Sequence, residues 1–171
     1  MTSRLRVVAA TALLLSTTTI CLAGGKSDPS DQALTIDIPV KMDQANVVFC
    51  MNHYVIRGDM PVGLQYMNLL SKNLNENGTK AQIIGVFFSE GGHFTLKDDA
   101  YNAARGVTTG NPYKGFIAEL MKQGVRIEEC AETMRHHKWT NADLLPGVKV
   151  NSGAVQRLIQ LGQQGFVQIH P

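Results

Sequence analysis

One cysteine stands where a strand gives way to a helix. The stretch "GVRIEECAETMRHH" leaves Gly124, runs through a short strand-like segment to Cys130, and then turns helical. At such a junction the unpaired amides and the positive end of a helix dipole favour a thiolate, the nucleophilic form of sulfur. Glu128, Glu129 and Glu132 oppose that charge; Arg126, Arg135 and a protonated His136 offset it. The plainer alternative is that Cys130 is a small buried hydrophobe.

Three further polar residues sit at strand ends. "ANVVFCM" is followed by Asn52 and His53, and "AQIIGVFF" is followed by "SEGGHF", which contains Gly91, Gly92 and His93. These are candidates to orient a substrate beside Cys130. Cys50, mid-run in an apolar segment, reads as core. His136 and His137 read as a solvated helix end, and Trp139 and the methionines as packing.

Alternating elements must position these groups. "ANVVFCM" and "AQIIGVFF" read as buried strands, and "VRIEE", "VKV" and "FVQI" as three further strands. Between them, "PVGLQYMNLLSKNLNENG" carries Leu64, Met67, Leu70 and Leu74 on one helical stripe and stops at Gly78. "DDAYNAARG" predicts a short helix with Asp98 as N-cap. "NPYKGFIAELMKQG" predicts a helix capped by Asn111, and "SGAVQRLIQLG" one capped by Ser152. This order predicts an α/β fold: a flavodoxin-like, doubly wound, mostly parallel five-stranded sheet with helices on both faces. The strand order 2-1-3-4-5 then puts a crevice between the first and third strands, where Cys130 shares an open pocket with the Asn52–His53 loop. "GLQYMNLL" lacks a phosphate-cradling glycine pattern, which removes the main support for nucleotide binding.

Composition limits the partners. Of 171 residues, 44% are hydrophobic and 18% charged, which suits one packed domain. Arg4 and Arg6 precede every acidic residue, and the remainder holds 14 basic and 14 acidic residues. That balance gives no electrostatic case for nucleic acid or an anionic membrane. The two arginines, the apolar "VVAATALLL" and the small residues of "CLAGG" read as a secretory signal peptide over residues 1–23, with periplasmic export and no stable membrane insertion after cleavage. Residues 24–43 read as a polar tether in which "LTIDIPV" is a candidate edge strand, and residues 44–171 as the domain. Cleavage leaves Cys50 and Cys130, expected as two free thiols.

The series "NH" after the first strand, "GDMPVGLQYMNLL", "TGNPYKGFIAELMKQGV", the cysteine after the third strand, and "DLLPGVKVNSGAVQRLIQLGQQGFVQIHP" resembles the DsrE/DsrF-like family, in particular its small exported members. The resemblance spans roughly residues 44–171. It implies a flavodoxin-like fold, a tendency to oligomerise, and, by analogy with sulfur-relay members, a persulfide carried on Cys130. The acidic "IEEC" departs from the more apolar strand of the relay proteins.

Two functions follow. In the first, the protein handles sulfur in the periplasm: Cys130 takes sulfane sulfur from a donor protein or small sulfur compound and passes it on, with Asn52, His53 and His93 binding substrate, no cofactor and no metal. In the second, it is a non-catalytic small-ligand or metal-binding module, or an oligomeric assembly module. Cys50, His53, His93 and Cys130 are zinc or copper ligand types, although their spacing matches no metal signature.

Overall fold

The computed structural model describes residues 34–171. The proposed signal peptide lies outside the described residues. Residues 34–39 form no strand, and Leu34, Ile36 and Ile38 are solvent-exposed, so "LTIDIPV" is not an edge strand.

From residue 40 onward the chain builds one α/β layer structure. The elements are β1 (Gln44–Met51), the two-residue hairpin strands β2 (Ile56–Arg57) and β3 (Met60–Pro61), α1 (Val62–Glu76), β4 (Lys80–Phe87), a 3₁₀ helix (Ser89–Thr95), α2 (Asp98–Arg105), α3 (Lys114–Lys122), β5 (Arg126–Cys130), α4 (Ala131–His137), a 3₁₀ turn (Asn141–Asp143), β6 (Lys149–Asn151), α5 (Ala154–Gln163) and β7 (Val167–Ile169). All five strands of the main sheet run parallel. The five strands and the long helices lie where the sequence places them, although the edge strands β6 and β7 are largely exposed.

Side chains alternate across the sheet, so each strand feeds two cores. Phe49, Met51, Phe87 and Ile127 pack on one face with Leu64 and Met67 of α1 and Ile117 and Leu120 of α3. Val48, Ile84, Val86 and Cys130 pack on the other face with Ala154 and Leu161 of α5. Helices therefore cover both faces, as the flavodoxin-like reading requires.

The strand order differs from the one expected. It is β6-β5-β4-β1-β7, or 4-3-2-1-5 when the five strands are counted along the chain. The chain steps in one direction for three crossovers, and then α5 carries it back to the far side of β1. Consequently β4 separates the first strand from the third, and the reversal lies between β1 and β7. Local sequence signals a crossover but not the side on which the next strand lands.

Three expected caps also change. Asn111 does not cap α3, which begins at Lys114 with Tyr113 at the cap position. The Asn111 side chain is instead a buried tie: Nδ2 donates to the carbonyls of Phe94 and Leu96, and Oδ1 accepts from the Tyr113 amide. Asp98 is the first residue of α2, preceded by Lys97. Its carboxylate accepts the Asn111 amide at 2.9 Å and pairs with Lys114. Gly153, not Ser152, precedes α5.

Candidate functional site

Cys130 is the last residue of β5 and the N-cap of α4, as the sequence suggests. Its side chain points away from the amides of α4. Strand alternation sends it to the α5 face of the sheet, where its Sγ lies 3.2 Å from the amide nitrogen of Ala154 and accepts that N–H. Ala154 is the first residue of α5, so the sulfur sits at the positive end of that helix. The cysteine is only 4% exposed. The expectation of an open thiol is thus corrected: the start of α5, at Ala154, closes over it.

The shared pocket with Asn52 and His53 is also corrected. Those residues follow β1, and β1 is two strands from β5, roughly 10 Å across the sheet at the usual strand spacing. Asn52 Nδ2 and the exposed His53 Nε2 meet each other at 3.1 Å. His93 is buried in the 3₁₀ helix, with its Nδ1 2.8 Å from the carbonyl of Glu90. Its ring meets His137 and Trp139, not Cys130. Among the described residues, no group of three His, Cys, Asp or Glu side chains is arranged to hold a metal.

Cys50 faces α5 as well, level with Val86 of β4 and hence with Glu128 of β5. An intervening strand and two residues of offset put it well beyond the roughly 7 Å limit for a disulfide with Cys130. Both thiols are free. Burial pushes the Cys50 thiol up to about 11, and its Sγ donates to Gln168 Oε1 at 3.9 Å.

The two glutamates before Cys130 part company across the sheet. Glu128 shares the α5 face, where Arg157 of α5 donates Nε and Nη2 to its two oxygens, each at 2.8 Å, and Arg126 Nε lies 3.1 Å away. Its charge is spent on two guanidinium groups, so it does not oppose a thiolate at Cys130 as the sequence alone implied. Arg157 was missed from sequence; its place on the face of α5 that carries Ala154 and Leu161 was the available signal.

Glu129 points to the opposite face and is fully buried. Burial pushes its carboxyl up to about 8, against the opposing effects of Thr95 and the Cys130 amide. Thr95 Oγ1 lies 2.9 Å from both Glu129 Oε2 and the Gly92 carbonyl. One hydroxyl proton serves only one of them. A neutral carboxyl resolves this: Glu129 donates to Thr95, and Thr95 donates to Gly92. A side chain at Gly92 would come within 2.8 Å of Glu129 Oε1, and one at Gly91 within 2.0 Å of the Met51 carbonyl. Glycine at both positions lets the 3₁₀ helix lie flat on the carboxyl ends of the strands. Ser89, which opens that helix, is held at φ 52° with its amide donating to Thr133 Oγ1.

The model of the DsrE/DsrF-like family matches residues 46–171, from within β1 through β7 to Pro171. The chain belongs to the DsrE/DsrF-like family. This family is linked to sulfur relay. The fold is similar to that of MTH1491 from Methanobacterium thermoautotrophicum, a protein of unknown function: identity is 27%, the match covers 74% of this chain and 99% of that one, and the TM-score is 0.58. The ychN protein of E. coli matches at 15% identity over 73% of this chain and 99% of its own, with a TM-score of 0.48. No curated protein matches. In this DsrE-like chain, Cys130 is the cysteine after the third strand that the sequence singled out.

Proposed function

We propose that this DsrE-like protein carries sulfane sulfur as a persulfide on Cys130. The observation that supports it is the hydrogen bond from the Ala154 amide to Cys130 Sγ at the start of α5. A sulfur anion gains more from that donor and that dipole than a neutral thiol does. The Cys130 thiolate attacks the outer sulfur of a donor persulfide. The donor's S–S bond breaks and the donor leaves as a thiolate, while a new S–S bond forms on Cys130. An acceptor thiolate then reverses the sequence. No net oxidation occurs, and no cofactor is needed.

Because Sγ is covered, loading requires the start of α5 to move aside and then return. The test is the intact mass of the mature chain after exposure to polysulfide. A gain of one sulfur atom, lost in Cys130→Ser, is expected. An unmodified mass in protein whose α5 turn is shown to open by amide exchange overturns the reading.

The same burial favours the second reading, a binding or assembly module in which Cys130 only packs. An apolar groove lined by Phe49, Tyr66, Leu69, Leu70 and Ile169, with Leu69 59% exposed and Val167 of the neighbouring strand 64% exposed, suits self-association. Sedimentation should show a homo-oligomer that Leu69→Asp weakens. Export belongs to the proposal as well. A mature N-terminus between residues 22 and 27 in a periplasmic extract is expected; soluble cytoplasmic full-length chain contradicts it.

A further inference from the structure

Three imidazoles and one indole gather at the end of α4. His137 stacks on Trp139 with ring centroids 4.4 Å apart and planes 14° apart. His93 meets His137 edge-on at 5.3 Å, and His136 meets it at 4.9 Å. Beside them lies an open cleft of about 250 Å³ lined by Ser89, Glu132, Thr133, His136 and His137. That volume is below the range of drug-sized pockets, so the cleft suits a small ion.

The carboxylates of Glu132 and the exposed Glu90 balance Arg135 and Lys138, so the cleft favours an anion once its imidazoles are protonated. Glu132 of α4 is paired with Arg135 of the same helix. Glu129 of β5 lies beneath Gly92 and Thr133, and burial raises its carboxyl to about 8, so it is neutral at and below pH 7. Glu90 of the 3₁₀ helix contributes its backbone carbonyl, which holds His93 Nδ1 as a donor. Lys138, with φ 60°, adds a positive charge next to His137. Protonation of His137 is opposed first by burial and then by His93 and His136. Rings this close repel one another when charged, and an anion held beside them in the cleft offsets that repulsion.

We propose that this cleft binds a tetrahedral oxyanion, such as sulfate, thiosulfate or phosphate, against the cleft-facing edges of His136 and His137, with uptake of protons. Binding and protonation are linked, so each strengthens the other. The site stands apart from the persulfide reading, because Cys130 does not line it.

Imidazole NMR of the mature chain tests it, with pH titrations in chloride, sulfate, thiosulfate and phosphate at matched ionic strength. The His137 midpoint should rise by about half a unit or more in the oxyanions, and affinity should be about tenfold stronger near pH 5.5 than near pH 8. His136→Gln and His137→Gln should each weaken binding severalfold; both side chains are exposed, and a thermal melt checks the fold. A midpoint equal in chloride and oxyanions, or unchanged affinity in the double variant, overturns the site. Preference for thiosulfate identifies a sulfur-donor subsite, and equal binding of all three identifies a general oxyanion site; both support the inference.

Discussion

Cys130 Sγ and the Ala154 amide meet 3.2 Å apart across the gap between β5 and α5, two elements separated by α4, a 3₁₀ turn and β6. Ala154 is the first residue of its helix, a position where proline is well tolerated. Gly153 before it is extended, at φ 177° and ψ 128°, which a following proline accepts. Ala154→Pro therefore deletes the donor with little cost to the helix. A hydrogen bond to a charged group contributes about 1.5–3 kcal/mol, so the equilibrium extent of sulfur loading on Cys130 at a fixed, sub-saturating polysulfide concentration should fall by about tenfold or more. Because Ala154 is buried, a melting curve must accompany the measurement. An unchanged loading equilibrium in folded variant would show that the contact is packing alone.

Glu129 makes stability depend on pH. Its carboxyl titrates near 8 in the folded protein and near the ordinary 4.5 when unfolded. Between those values the unfolded chain binds fewer protons than the folded one, so stability falls as pH rises through the window. Below it both states are neutral at this site; above it the full penalty stands, on the order of several kcal/mol. Glu129→Gln keeps the shape and removes the ionisation. Urea unfolding at about pH 5 and about pH 8.5 should show a smaller loss in the variant than in the wild type. Equal losses would mean that Glu129 ionises normally.

Arg157→Ala should cost about 2–4 kcal/mol, because it strips the bidentate partner from a buried Glu128. Arg126 remains at 3.1 Å and limits the loss. Arg157→Lys should recover only part of it, since an ammonium cannot reproduce the fork. Denaturant midpoints measure both, and a loss below about 0.5 kcal/mol in the alanine variant would place the pair among weak surface bridges.

Lys138 holds φ 60° at the C-cap of α4, a conformation that glycine adopts without strain. Lys138→Gly should stabilise the fold by about 1 kcal/mol, read as a rise in melting temperature. A fall would show that the lysine side chain contributes more than its backbone costs.

The sequence by itself determined the elements, because they follow from local periodicity. The apolar run before Cys50, the stripe Leu64–Met67–Leu74 and the stop at Gly78 each reflect contacts within a few residues. It also determined that Cys130 ends a strand and precedes a helix. Caps were less legible: Asn111 has the chemistry of a cap, but two carbonyls from a distant turn claim its side chain.

The tertiary structure alone decided which strands are neighbours, and the site follows from that. A crossover looks the same in sequence whichever way it steps, so the placement of β4 between β1 and β5 was hidden. That placement separates Cys130 from Asn52 and His53. Alternation along β5 could be read, but not which helix lies over each face. Only the return of α5 across the sheet gives Cys130 the Ala154 amide and Glu128 the Arg157 fork, and only the 3₁₀ helix on the opposite face sets Thr95 against the buried Glu129. These contacts join residues far apart in the chain, and their energies depend on burial that no local pattern encodes.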